Sequence, residues 1–238
     1  GSTQIFNTNT RSVHIPNAIQ INVSVSDITG KNLVAHSKLG ELIQACLIET
    51  SYECALLFLP EEDAFERLKL KTKYGLSAEL CSPNDISGGH QGSIALYRKV
   101  GKHNQPLGCE PILFDHRNTV IAHHDNWQAT ARIEHRLGAS SKQYNVYVNV
   151  LFVLLNVHQA ILAFIGSNEL IVEETTHSQA LPKSLFDKDG SIGATRLFEQ
   201  SKWFSDAIHS ITKGKDDDCG ERLKSLILSQ YQQQRILI

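Results

Sequence analysis

The histidines of this 238-residue chain are its first candidates for chemistry. His116, His123, His124 and His135 lie in one stretch of sequence with Asp115 and Asp125. Imidazole and carboxylate groups together can bind zinc or iron, and a single histidine can bind haem. However, the adjacent His123 and His124 would point apart in a strand, and no helical H-x-x-x-H spacing occurs. The pattern favours a solvated polar loop, and we predict no metal ligands.

The cysteines form the second set, and they are scattered along the chain: Cys46, Cys54, Cys81, Cys109 and Cys219. Their odd number and the lack of a C-x-x-C pair favour reduced thiols. Cys46 and Cys54 fall on core-facing positions, where a thiol behaves as a small inert hydrophobe. A Cys-His hydrolase or deamidase needs a thiolate beside a base. No nucleophile motif surrounds any cysteine, so we predict no catalytic residue and disfavour an enzyme.

Composition sets the class of protein. The net charge of −2 gives no general attraction to nucleic acid or membranes. We find no apolar run that approaches the ~20 residues that a bilayer span needs, and no signal peptide is visible. We therefore expect a cytoplasmic protein that does not bind membranes.

Hydrophobic periodicity predicts mixed secondary structure. The stripe of Leu39, Leu42, Ile43, Cys46 and Leu47 predicts a helix over about 33–50. Helices are also predicted over 93–100, around Trp127, Ile133 and Leu137, and over 191–212 and 221–238. Alternating or continuous apolar runs predict strands over 19–25, 53–59, 66–74, 111–114, 146–155 and 160–165. The last two are predicted to form a hairpin through residues 156–159, and 53–59 an inner strand.

These elements predict an α+β fold, with a central antiparallel sheet, helices on one face and loops over the other. We divide the chain into an arm and lead-in over 1–32, a main domain over 33–212 and a C-terminal helix over 213–238. The lysines and the arginine at 67–73 are interpreted as the solvated face of a strand rather than a phosphate site.

Four segments give the chain a family resemblance. They are Lys38–Ile43; Ala55–Leu59 with Tyr74–Leu76; Gly92–Tyr97 through Gly101, Pro106 and Pro111–Asp115; and Val148–Leu155 with Ile161–Gly166. In order and spacing they resemble a GAF domain, a small-molecule sensor and dimerisation module. The resemblance covers roughly 33–212. It implies a GAF-like sheet, a ligand lid over 81–141 and homodimerisation through the terminal helices.

The sequence can also be compared with the ligand-binding and enzymatic subclasses of the GAF family. The chain has no Asn-Lys dipeptide, so it lacks the signature of cyclic-nucleotide GAF domains, and no Cys-His dipeptide for attaching a tetrapyrrole. Cys81 and Cys109 lie in loops comparable to those of GAF-like free methionine sulfoxide reductases, although the cysteine pattern differs. That redox enzyme remains an alternative, and so does a dimerisation module that binds no ligand.

The function that the resemblance implies is regulatory sensing of a ligand or signal within a signalling or transcription-control protein. No particular cofactor is indicated, and nucleic acid would be bound only by an output domain missing from this sequence. We expect a small ligand between the sheet and the lid, because concave sites form where loops cover a sheet. The predicted pocket residues are Phe58, Ile94, Tyr97, Cys109, Phe114, Asp115, His123 and Trp127.

Overall fold

The computed structural model describes residues 3–6, 12–15, 18–65, 94–98, 113–122, 130–166, 181–212 and 218–232. The chain has an α+β fold with a small antiparallel sheet and flanking helices, as predicted. The strands are β1 (Thr3–Phe6), β2 (Ser12–Ile15), β3 (Ala18–Val23), β4 (Ile94–Tyr97), β5 (Leu113–Phe114), β6 (Val120–Ala122) and β7 (Arg132–Ala139). The α-helices are α1 (Leu33–His36), α2 (Leu39–Ser51), α3 (Val146–Gly166), α4 (Ala194–Gln200), α5 (Trp203–Thr212) and α6 (Cys219–Gln232).

The central sheet has the order β3-β7-β4, and both pairings are antiparallel. Residues directly opposite one another in such a sheet point to the same face. Ile133 and His135 of β7 therefore share the inner face with Leu96 and Ile94 of β4, and this face packs against the helices. Gly138 sits where a β-bulge in β3 brings the backbones together, since an added Cβ would lie 2.7 Å from the Ile19 carbonyl oxygen.

Two short hairpins lie outside this sheet. Strands β1 and β2 pair within the segment that the sequence predicts to be an arm of little regularity. Strands β5 and β6 pair around Asp115, where the predicted strand over 111–114 ends. The Asp115 side chain accepts hydrogen bonds from the backbone N–H groups of Arg117 and Thr119, each at 2.8 Å, and so fixes the turn.

The predicted first helix is present, but it is divided into α1 and α2. Asn32 caps α1 by accepting a hydrogen bond from the Val34 N–H, and its amide also donates to the Ala131 carbonyl. Leu39, Leu42, Ile43 and Leu47 of the apolar stripe are buried as the periodicity predicts, and Cys46 is partly buried. Gln44 of α2 donates to the Ile94 carbonyl at 2.8 Å, which ties the helix to strand β4.

The prediction of an inner strand over 53–59 is wrong. Residues Ala55–Leu57 form a single turn of 3₁₀ helix, and their side chains are fully buried. One backbone hydrogen bond, from the Ala139 N–H to the Phe58 carbonyl at 2.8 Å, joins this segment to the end of β7. Continuous apolar character is shared by inner strands and by any short buried segment, so the pattern identified burial correctly but not the conformation. Residues 62–65, which follow this segment, are helical.

The prediction of a hairpin over 146–165 is wrong as well. These residues form the single 21-residue helix α3. Asn145 begins it by accepting hydrogen bonds from the Tyr147 and Val148 N–H groups. The β-branched residues suggested strands, but the run contains neither glycine nor proline before Gly166, and residues 156–159 contain no strong turn former. The α3 helix is also long and apolar enough, by length and composition, to cross a membrane, which corrects the statement that no such run exists.

Two predicted short helices are strands. Residues 94–97 form β4, and Ile133 and Leu137 lie in β7. Both strands are stabilised by pairing with each other, which the local sequence cannot reveal. The strand predicted over 19–25 is confirmed as β3, although it ends at Val23.

The C-terminal region is helical, as predicted. The helix expected over 191–212 is divided at Ser201 and Lys202 into α4 and α5. Helix α6 packs on α5 so closely that a Cβ added to Gly220 would lie 2.6 Å from the Ser205 carbonyl oxygen. Ile227 and Tyr231 of α6 are buried, which favours packing of this helix on its own domain.

These results affect the GAF resemblance. Two of its supporting segments contain helix where the resemblance requires strands, at Ala55–Leu57 and over Val148–Gly166. The described residues do not include the predicted strand over 66–74 with its basic residues, Tyr74–Leu76, or most of the proposed lid. The family assignment therefore stays a prediction with less support from the secondary structure.

Candidate functional site

The outer face of β7 carries three charged residues in alternate positions. Arg132, Glu134 and Arg136 point away from the helices, because alternate residues of a strand share a face. The register places Tyr97 of β4 opposite Arg132 and Asn22 of β3 opposite Glu134. We call these five residues the charged face.

Glu134 lies at the centre of the charged face. Its carboxylate accepts a hydrogen bond from Arg136 Nε at 3.2 Å, and Arg132 Nη2 lies 3.9 Å from its other oxygen. The side chains of Glu134 and Arg136 are only 7% and 10% exposed, whereas that of Arg132 is 30% exposed. A buried carboxylate between two guanidinium groups is electrostatically satisfied, and solvent reaches the cluster at Arg132.

Several contacts orient Arg132. Its Nε donates to Asn22 Oδ1 at 2.9 Å, and its Nη1 donates to the Thr130 carbonyl at 3.2 Å. The guanidinium carbon lies 4.6 Å from the centre of the Tyr97 ring, which is a cation–π distance. Contacts on three sides hold the guanidinium in one orientation before any ligand arrives. Such preorganisation lowers the entropic cost of binding an anion.

Tyr97 contributes a buried hydroxyl group. Burial raises the pKa of this phenol, Arg136 and Arg132 lower it, and the nearby Glu134 carboxylate raises it. Within the described part of the chain, the hydroxyl makes no hydrogen bond of normal geometry. The hydroxyl lies against the Glu134 carboxylate, an interaction that raises its pKa, and it still has capacity to accept a hydrogen bond from a ligand or a water molecule.

The chemistry of the charged face is that of anion recognition. Two guanidinium groups and one carboxylate give it a formal charge of +1. Arginine binds carboxylate and phosphate groups through paired N–H donors. Among the described residues, no group of three or more His, Cys, Asp or Glu side chains is placed to hold a metal ion.

The inner face of β7 holds a different titratable group. His135 is fully buried. The centre of its ring lies 4.8 Å from that of Phe58 and 5.7 Å from that of Phe152. Burial lowers the pKa of this imidazole to about 3, so the ring is neutral at physiological pH. His135 is thus a core residue and is separated by the sheet from the charged face. His116, in contrast, is exposed, so these two histidines do not share an environment.

The predicted pocket residues do not form one group. Tyr97 belongs to the charged face, whereas Phe58 and Ile94 are buried on the inner side of the sheet. Asp115 fixes the β5–β6 turn, and Phe114 lies in β5. The remaining predicted residues, Cys109, His123 and Trp127, lie outside the described residues.

Two of the described cysteines, Cys46 and Cys54, are poor nucleophiles. Burial raises the pKa of Cys46 to about 11 and that of the fully buried Cys54 well above its usual value. Both thiols therefore stay protonated, in agreement with their predicted core positions. Cys81 and Cys109, on which the redox alternative depends, lie outside the described residues.

Sequence reasoning missed Arg132, Glu134 and Arg136. Their signal was nevertheless present, because polar residues at 132, 134 and 136 alternate with Ile133, His135 and Leu137 at the period of a half-buried strand. His135 is instead grouped with the other histidines of this stretch as a candidate metal ligand. That grouping concealed the alternation.

Comparison with known proteins gives little further information. No family model matches the chain, and no curated protein matches it. Among solved structures, the chain is similar to one described as "Apo GmaS without ligand", with a TM-score of 0.49 and 14% sequence identity. The match covers 94% of this chain and 45% of that protein, so this chain spans less than half of its length. A likeness at this level carries no conclusion about function.

Proposed function

We propose that this chain is a regulatory ligand-binding domain that recognises a small anionic molecule at the charged face. The observation that supports the proposal is the orientation of Arg132, which is solvent-accessible on one side and fixed on three others. An arginine fixed in this way can bind a carboxylate or phosphate group with little loss of conformational freedom.

Two neighbours would shape the selectivity of the site. The Tyr97 hydroxyl offers a hydrogen-bonding group beside the guanidinium. The Glu134 carboxylate would repel a second anionic group placed deep in the cluster. The site therefore favours a ligand whose single anionic group enters from the Arg132 side. The proposal keeps the sensing role that the GAF resemblance implies, within a signalling or transcription-control protein, but does not depend on that fold.

A thermal-shift titration tests the proposal. The parent is heated in increasing inorganic phosphate, acetate and citrate at constant ionic strength, and Arg132→Gln is compared with Arg196→Gln. Arg196 is a matched control because it also pairs with a carboxylate, that of Asp187 at 2.7 Å, but on an exposed surface. We expect at least one anion to raise the melting temperature of the parent and of the control, because a ligand that binds the folded state stabilises it.

The Arg132→Gln variant should lose this response. Stabilisation by about 2.7 kcal/mol is expected when the ligand concentration is 100 times its Kd. Equal responses in Arg132→Gln and in the parent would place any binding elsewhere. If no anion in the series stabilises the parent, the charged face is a structural ion cluster and the proposal fails.

A further inference from the structure

Helix α3 has the reverse of the usual distribution of polar and apolar residues. Its two asparagines, Asn149 and Asn156, are fully buried. Asn156 accepts a hydrogen bond from Thr50 Oγ1 at 2.9 Å, and Asn149 donates one to the Tyr144 hydroxyl at 2.7 Å. The two asparagines of α3 thus face the interior of the domain, whereas His158 is partly buried and Gln159 is exposed and accepts a hydrogen bond from Trp203 Nε1.

The opposite side of α3 is apolar and exposed. Tyr147 is 83% exposed, Ile165 is 75% exposed, and Leu154 and Leu162 are about half exposed. At 3.6 residues per turn these four side chains lie within about 80° of one another around the helix, on a side that also carries the partly buried His158. We call them the α3 stripe. Val146 and Phe164 are also exposed and flank it.

The size of this surface approaches that of a protein interface. An exposed aromatic side chain offers roughly 150 to 250 Å², so the stripe and its flanking residues offer on the order of 600 Å². A standard interface buries about 800 Å² on each partner. Apolar patches at the upper end of the range found on monomers commonly mark interaction sites.

We propose that the α3 stripe is the interface of a symmetric dimer, in which α3 pairs antiparallel with α3 of a second copy. Residues 146–166 contain no Asp, Glu, Lys or Arg, so two copies of the stripe meet without repulsion between like charges. A charged partner, in contrast, would find no complementary group on the stripe.

The spacing of the stripe agrees with a two-fold axis. In an antiparallel pair centred on Asn156, Tyr147 lies opposite Ile165 of the second copy, and Leu154 lies opposite His158. Leu162 then lies opposite Val150, which is partly buried in the single chain. Tyr147 and Leu162 thus meet apolar side chains and Leu154 meets an imidazole ring, and the same contacts recur on both copies, as in an isologous interface. This interface differs from the terminal-helix pairing that the GAF resemblance implies, and it does not depend on the proposed ligand site.

The first test is the mass of the protein in solution. Light scattering over a range of concentrations should give about twice the 26.5 kDa of one chain for the parent. The double variant Leu154→Glu/Leu162→Glu should be monomeric, with a dissociation constant at least about 100-fold higher. Leu226→Glu is the matched control, because Leu226 is a 66% exposed leucine on α6. It should remain dimeric.

Each contrary result overturns the proposal. A monomeric parent, or a double variant that stays dimeric, excludes the stripe as the interface. Dissociation by Leu226→Glu would instead favour pairing through the terminal helix. A monomeric parent that floats with phosphatidylcholine vesicles would identify a bilayer as the partner of the stripe.

A second measurement does not require the double variant to fold. In the antiparallel pair, the two copies of position 154 are offset by about 6 Å along the helix axis and those of position 165 by about 27 Å. Leu154→Cys should therefore form a disulfide between copies on mild oxidation, identified by peptide mass spectrometry, and Ile165→Cys should not. Equal yields at the two positions, or none at 154, would exclude the antiparallel arrangement.

Discussion

The two faces of strand β7 bury ionisable groups in opposite ways. On the outer face, Glu134 and Arg136 remain paired at 3.2 Å although both side chains are largely buried. On the inner face, at the residue between these two in the strand, His135 lies among aromatic rings, and burial lowers its pKa to about 3. The backbone is shared, so the difference comes entirely from the neighbours.

The comparison shows where this fold can keep charge. A buried ionised group is tolerated when an opposite charge and hydrogen bonds replace its water, and otherwise the neutral form is favoured. Only the outer face meets this condition on β7. A site for a charged ligand is therefore expected there, while the inner face contributes stability through apolar contact.

The largest effect is expected on the inner face. Phe58 is fully buried against His135 and Phe152, so Phe58→Ala should lower the free energy of unfolding by about 3 to 5 kcal/mol. Ile28 lies fully exposed in a turn, and Ile28→Ala should cost under about 0.5 kcal/mol. Urea unfolding of both variants measures the difference. Similar losses would mean that the aromatic cluster around His135 is not the core.

A smaller but still large effect is expected on the outer face. Glu134→Gln keeps the shape of the side chain but leaves two arginines without their carboxylate, which should cost about 2 to 3 kcal/mol. Adding Arg136→Met should recover part of this loss, since the unpaired charge is then removed. Urea unfolding of both variants measures the loss and the recovery. If Glu134→Gln leaves the free energy of unfolding unchanged, the carboxylate is solvated and the contrast between the two faces disappears.

The core could be predicted from the sequence better than the sheet. Leu39, Leu42 and Leu47 are buried on α2 because helical periodicity is a local property. Phe58 lies in the segment predicted to be an inner strand, and it is buried, although the segment has another conformation. The strands β4 and β7 were missed because each is stabilised by its neighbour, and their pairing joins residues almost 40 positions apart.

The candidate site was predicted least well. It consists of β7 residues whose arrangement depends on registers with β3 and β4, and a register cannot be read from one strand. Of the predicted pocket residues, Tyr97 alone among those described belongs to the charged face. The α3 helix was missed because β-branched residues outweighed its length and its Asn145 cap.

The third prediction concerns acid stability. His135 has a pKa of about 3 in the folded chain, and a histidine in an unfolded chain has a pKa of about 6.5. The unfolded state therefore binds more protons between these values, and stability is lost as the pH falls through this window. From pH 7.5 to 5.5, His135 should account for a loss of about 1.4 kcal/mol.

The variant His135→Leu isolates this contribution. Its unfolding free energy is compared with that of the parent at both pH values, so that the other titrating groups cancel. When the pH is lowered from 7.5 to 5.5, the unfolding free energy of the parent should decrease by about 1.4 kcal/mol more than that of the variant. A constant difference would show that the imidazole is protonated, or hydrated, in the folded state.

The smallest effect is expected for an ion pair on the surface. Arg196 and Asp187 approach to 2.7 Å, closer than Arg136 and Glu134, yet their side chains are 56% and 44% exposed. Water and salt screen such a pair, and the ordering of two long side chains offsets its attraction. Arg196→Gln should therefore leave the midpoint of urea unfolding unchanged within error, at low and at high salt. Arg136→Gln, which breaks the longer but buried pair, should lower the midpoint clearly. If the two substitutions had equal effects, distance rather than burial would determine the strength of ion pairs in this protein, and the contrast between the two faces of β7 would need another cause.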